Sequence, residues 1–178
     1  YLGLQHGAAG ILYWIREAST SDLIEEIERL HTEVDYISTQ LMQSSTAVLD
    51  VHLPAEQESM LDVFGIVTDM STGSRQGTSH RVLLLLTNVN NSTIVDNIAL
   101  SIPSLQRYRG EATVDKFSDA SEQRSLHNVR RVRIIDGVLI DLQPIKTFGT
   151  RVYEFEVGNK HLEDHLSGAT MHASGRDE

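Results

Sequence analysis

Apolar positions at the start of the chain fall into two patterns. Residues 6–14 lead from small side chains (Gly7, Ala8, Ala9, Gly10) straight into Ile11, Leu12, Tyr13 and the single tryptophan, Trp14. An apolar run without alternation predicts a strand covered on both faces, as in α/β proteins. Its buried backbone groups need hydrogen-bonding neighbours, so the chain reads as the C-terminal part of something larger. After a polar loop, Leu23, Ile27, Leu30, Val34, Ile37 and Leu41 recur in alternating steps of four and three. That spacing predicts an amphipathic helix to about Met42 with one narrow apolar stripe. Asp22 followed by Glu25 fits a capping box, and Glu25 and Glu26 suit the positive end of the helix dipole. A short coiled coil has the same spacing, but the stripe covers fewer than three heptads.

From about Ser44 the period changes to two. Leu49, Val51 and Leu53 predict one strand, and residues 63–67 a second with Gly65 as a bulge. Residues 80–89 form a strong central strand, followed by an Asn-rich turn at 88–92. Ile98, Leu100 and Ile102 alternate and stop at Pro103. Strands at 112–117 and 129–135 follow, and Asp136-Gly137 between two apolar runs is a two-residue hairpin signal leading into 138–142. Tyr153, Phe155 and Val157 alternate with Glu154 and Glu156 in the last strand. About eight short strands at regular spacing predict an antiparallel β-sandwich. The domain expectation is a terminal strand and helix over 1–45, a sandwich over 46–158 and a flexible tail over 159–178.

Three parts of the chain, the opening run, the helix and the β region, resemble the C-terminal end of a TIM-barrel glycoside hydrolase with an accessory β-sandwich. Residues 6–14 (His-Gly-Ala-Ala-Gly-Ile-Leu-Tyr-Trp) look like the eighth barrel strand, and residues 23–41 are similar to the helix that closes such barrels. In the sandwich, Arg81-Val82-Leu83-Leu84-Leu85-Leu86-Thr87-Asn88 looks like the family's strand ending at an asparagine. Residues 136–144 and 150–155 resemble its closing hairpin. The fold class implied is mostly β, with the sandwich preceded by the last strand and helix of a (β/α)8 barrel. The reaction implied is hydrolysis of a glycosidic bond by two carboxyl groups. In these families the pair stands at the ends of earlier strands, so the resemblance places it upstream, in a missing N-terminal barrel portion. No catalytic residue is then expected in this chain, and Trp14 becomes the candidate substrate-binding residue, an indole stacked on a sugar. The carbohydrate partner would be reached through the parent enzyme. The competing reading is a non-enzymatic β-sandwich that binds or interacts, with the helix docking a partner.

Composition narrows this picture. Of 178 residues 40% are apolar, enough for a core. A net charge of −10 argues against nucleic acid or anionic membranes as partners, while neutral sugars are not disfavoured. The longest apolar run, residues 82–86, is far too short to cross a bilayer. The first residues lack the basic leader of a signal peptide, and the absence of cysteine leaves secreted and cytoplasmic locations both open. Overlapping sequons at Asn90 and Asn91 would accept N-glycosylation in a secreted parent.

Other polar residues point to less. Arg16 and Glu17 follow Trp14 and read as solvated loop charges, and His6 reads as a capping or packing residue. His161 and His165 have i, i+4 spacing but lack the Glu directly after the first His that a zinc protease needs, so no metal is expected. Arg107, Arg109, Arg124, Arg130, Arg131 and Arg133 make the sandwich locally basic. A solvated sheet face explains them more simply than an anionic polysaccharide does. Tyr108 and Tyr153 read as edge and core aromatics. Neither a phosphate loop nor a G-x-S-x-G elbow occurs, and no cofactor is expected.

Overall fold

A computed structural model of the chain describes residues 20–42, 46–70, 79–114 and 130–158. Helix α1 is Ser21–Leu41. The strands are β1 Thr46–Leu49, β2 Leu61–Met70, β3 Ser79–Asn88, β4 Ile98–Ser101, β5 Gly110–Val114, β6 Arg131–Ile135, β7 Val138–Asp141 and β8 Thr150–Gly158. They pair antiparallel throughout, in the order β1-β2-β3-β8-β5-β6-β7-β4. The sheet curls until its edges meet: His52, just beyond β1, exchanges both backbone hydrogen bonds with Ser101 of β4 (2.8 and 2.9 Å). The chain is thus mostly β with one described helix. Where a sandwich has two separately bonded sheets, here β8 pairs with β3 on one side and β5 on the other, joining everything into one sheet.

Alternation along the strands builds the core. Val82, Leu84 and Leu86 of β3 point inward with Tyr153, Phe155 and Val157 of β8, and Ala112, Val132, Ile134, Leu139, Ile98 and Leu100 close the other wall. The outward residues Leu83 and Leu85 are also buried, because α1 covers them. Val34, Tyr36, Ile37 and Leu41 pack on Ile66, Leu83, Leu85, Val152 and Phe64. Cover on both faces explains why residues 82–86 form an unbroken apolar run. Among the described residues the C-terminal half of the helix therefore meets a sheet. Its C-terminal end is fixed beside β1, where Thr46 Oγ1 donates to the Gln40 carbonyl (2.7 Å).

Two local expectations change. The helix begins at Ser21, with the Thr20 carbonyl accepting from Ile24 N (3.2 Å), so Asp22 lies inside the first turn and not at the cap. Gly65 is not a bulge: β2 pairs β3 without interruption from Leu61↔Asn88 to Met70↔Ser79. It is glycine for space, since a Cβ there would lie 2.8 Å from Val51 Cγ2 and 3.0 Å from Leu84 Cδ2. Gly65→Ala should overpack the core and cost about 1–3 kcal/mol, read as a lower urea midpoint at unchanged slope. At the Asp136-Gly137 turn both residues have positive φ (51° and 77°), the type I′ geometry expected of this dipeptide.

Candidate functional site

The described residues hold their densest polar chemistry inside the sheet, at the end where β7 hands over to β8. Asp141 is the last residue of β7 and faces inward, in the place that alternation after Leu139 reserves for a core side chain. It is 1% exposed. Its Oδ1 accepts from Arg130 Nη1 (2.7 Å) and the Gln143 amide (3.0 Å). Its Oδ2 accepts from Arg130 Nη2 (2.9 Å), Arg151 Nη1 (2.8 Å) and the Tyr153 hydroxyl (3.0 Å). Arg151, 8% exposed, reaches on to the carbonyls of Gln143 and Pro144 (2.6 Å each). One side chain thereby clamps the loop between β7 and β8 to the floor of the sheet.

Electrostatics follow from this geometry. Burial pushes the Asp141 carboxyl up, but hydrogen bonds from Arg130 and the Gln143 amide, with the charges of Arg151 and Arg130, outweigh it and hold it below the usual carboxylate value. Burial and the Asp141 charge push the Tyr153 phenol well above its ordinary value. An ionised carboxylate filled by five donors has no lone pair left for a substrate. A phenol that stays protonated is no base. The cluster can hold a loop; it cannot transfer protons.

A second cluster ties α1 to the sheet. Arg81 Nε stands 3.3 Å from Glu154 Oε1, and Arg81 Nη1 donates to the Tyr36 hydroxyl (3.4 Å). Burial first, then Glu154, pushes the Tyr36 phenol up to about 12. At the opposite end from Asp141, His80 Nδ1 meets Asp69 Oδ1 at 2.6 Å. Among the described residues no group of three or more His, Cys, Asp or Glu is arranged to hold a metal ion, and no helix is long and apolar enough to cross a membrane.

The basic residues are mostly spoken for. Arg109 makes a two-pronged pair with Asp136 (2.9 and 3.0 Å), Arg131 meets Glu111 (3.4 Å), and Arg130 belongs to Asp141. Arg131 and Arg133 lie on the outer face while Val132 and Ile134 are buried, as the alternation predicts. Tyr108 stacks on Phe155 (centroids 5.7 Å apart) and donates to the Glu156 carbonyl (2.8 Å), and Tyr153 is core.

Asn90 Oδ1 accepts from Ser92 N (2.9 Å), Ser92 Oγ (3.0 Å) and Thr93 N (2.9 Å), an Asx turn that organises the sequon loop. Asn91 beside it is exposed. Trp14, His6, Arg16, Glu17, Arg124, His161 and His165 lie outside the described residues. Sequence reasoning missed the Asp141 cluster, although a signal was present: Asp141 and Arg151 each occupy an inward register in strands whose other inward residues are apolar. Comparison with protein-family models, curated proteins and solved structures finds no match to this chain.

Proposed function

We propose that the chain is the C-terminal part of a carbohydrate-active (β/α)8-barrel enzyme, a glycoside hydrolase. In this reading residues 46–158 brace the barrel as its accessory β unit, and residues 1–45 supply the last barrel strand and helix. Trp14 would be the chain's contribution to the sugar site, and the catalytic carboxyl groups would lie upstream.

The observation that carries the reading is the state of Asp141. Glycoside hydrolysis needs one carboxyl that gives up a proton and another that attacks or activates water. Asp141, deep in the sheet, is ionised and saturated by Arg130, Arg151, Tyr153 and the Gln143 amide. The β unit is accordingly built to hold a shape. The packing of Ile37 between α1 and the sheet supports a brace as well, because it couples the unit firmly to whatever precedes the helix.

The test is an assay of the 178-residue chain, and of a longer polypeptide carrying the upstream coding sequence, on a panel of aryl glycosides. The expected result is hydrolysis by the longer polypeptide and none by the chain. Turnover by the chain itself, or an inert longer polypeptide, would overturn the reading.

A further inference from the structure

We propose that Asn91 is the N-glycan acceptor of the two overlapping sequons, and that Asn90 shapes the loop that presents it. By sequence the two are equivalent, Asn90-Asn91-Ser92 and Asn91-Ser92-Thr93. Geometry separates them. Asn90 Oδ1 accepts from Ser92 N (2.9 Å), Ser92 Oγ (3.0 Å) and Thr93 N (2.9 Å). The hydroxyl that defines the Asn90 sequon is thus turned back onto Asn90 itself. Three donors on the amide oxygen also draw the nitrogen lone pair further into the C–N bond, the resonance that makes an amide nitrogen a poor nucleophile. Asn90 N donates in turn to Asn88 Oδ1 (2.9 Å), and the residue is half-buried.

Asn91 has none of these ties. It is exposed, and its carboxamide makes no hydrogen bond to a described residue. The turn uses the amide and the carbonyl of Thr93, leaving the hydroxyl of this exposed residue, the one that defines the Asn91 sequon, outside it. The bonds to Asn90 Oδ1 close within four residues. Side-chain turns this local form without a completed fold, so the same distinction holds while the sheet is still assembling.

The reaction is a substitution at an anomeric carbon. Asn91 Nδ2 bonds to C1 of an oligosaccharide carried on a polyprenyl diphosphate. The C1–O bond to the diphosphate breaks, the diphosphate leaves with the electron pair, and the proton lost from Nδ2 passes to a base of the transferase. The finished fold then holds the attachment point still. Asn88, wholly buried, donates through Nδ2 to the carbonyls of Thr93 and Ile145 (2.9 and 3.2 Å), and Val95 and Ile145 exchange backbone hydrogen bonds (3.1 and 2.7 Å). Loops 89–97 and 142–149 are therefore one body. That body shows apolar groups to water: Val89 and Ile94 bracket the sequon, and Phe148, on the second loop, is 67% exposed in a left-handed turn position (φ +56°). A glycan on Asn91 gives this end of the sheet a bulky hydrophilic cover. The inference does not depend on the enzyme reading.

The test is secretion of the 178-residue chain from cultured eukaryotic cells behind a cleavable leader. Intact mass is measured before and after peptide:N-glycosidase, which leaves aspartate where the glycan stood. The wild type should carry a single glycan, with aspartate at position 91 after release. Ser92→Ala destroys only the Asn90 sequon and should keep the glycan. Thr93→Ala destroys only the Asn91 sequon and should lose the glycan, although Asn90-Asn91-Ser92 is intact. Thr93→Ser preserves both sequons and should restore it, which separates loss of the acceptor from a misfolded loop. Aspartate at position 90, a Thr93→Ala product that keeps its glycan, or an unglycosylated wild type would each overturn the proposal.

Discussion

Asp141→Ala should lower the stability of the β unit by about 3–5 kcal/mol, the usual result of removing one partner from a buried ion pair. The variant leaves Arg151 buried with its carboxylate gone and strips Arg130 of both prongs. It also leaves the Tyr153 hydroxyl, in the core, without its acceptor. Urea unfolding should show the loss as a lower midpoint at unchanged slope. Tyr153→Phe is the calibrating variant. It removes one of five donors and leaves the charges paired, so it should cost only about 1 kcal/mol. Equal losses in the two variants would mean that charge compensation is not what Asp141 supplies.

Acid makes the same point without a cavity. The folded-state pKa of Asp141 lies below its ordinary value, because its arginine and amide donors outweigh burial. A depressed carboxylate contributes stability that is fully present above its unfolded pKa of about 3.9. That contribution is lost as pH falls through the folded value. Stability should therefore drop as pH falls below about 4, and Asp141→Asn should flatten that limb. Superimposable acid limbs would assign the loss to other groups. The loop of Leu142 and Phe148 should loosen over the same range, since Arg151 holds Asp141 and the Gln143 and Pro144 carbonyls together.

Why these features differ in legibility is a matter of which interactions write a period into sequence. The stripe positions Val34, Ile37 and Leu41 and the alternation in β4, β6 and β8 follow from one buried face, so they can be read directly. The type I′ turn at Asp136-Gly137 is legible because few residue pairs tolerate two positive φ values. Sheet closure is not written that way. It depends on β8 pairing both β3 and β5 and on the His52–Ser101 bridge, and a backbone hydrogen bond leaves no side-chain signature. Gly65 illustrates the ambiguity: a glycine in a strand signals either a bulge or a close approach, and only the position of Val51 decides between them. The Asp141 site was half legible. Charged residues at inward registers announce a buried cluster, but their partners come from three separate strand ends, a pairing fixed only by the fold. Phe148 was silent, because nothing in Lys146-Thr147-Phe148-Gly149 says which residue takes the left-handed turn position.

Ile37→Ala should cost about 2–4 kcal/mol, the range for truncating a fully buried aliphatic side chain. More than a cavity is at stake. Ile37 is wholly buried, and its neighbours Leu83, Leu85, Ile66 and Val152 are sheet residues on the outer face. Without the helix, β3 would lose the described cover of two leucines, Leu83 and Leu85, on its outer face. The cost should therefore appear unevenly in hydrogen exchange. Amides of α1 should lose protection first, while those of β5, β6 and β7, on the far wall, keep theirs. Ile135→Ala is the matched control: an aliphatic residue on the same outer face, uncovered by the helix, whose truncation should change stability by less than about 0.5 kcal/mol. If Ile37→Ala behaved like Ile135→Ala, α1 would be an appendage resting on the sheet, and no brace could act through it. If α1 protection falls with the midpoint, the helix is a structural part of the β unit.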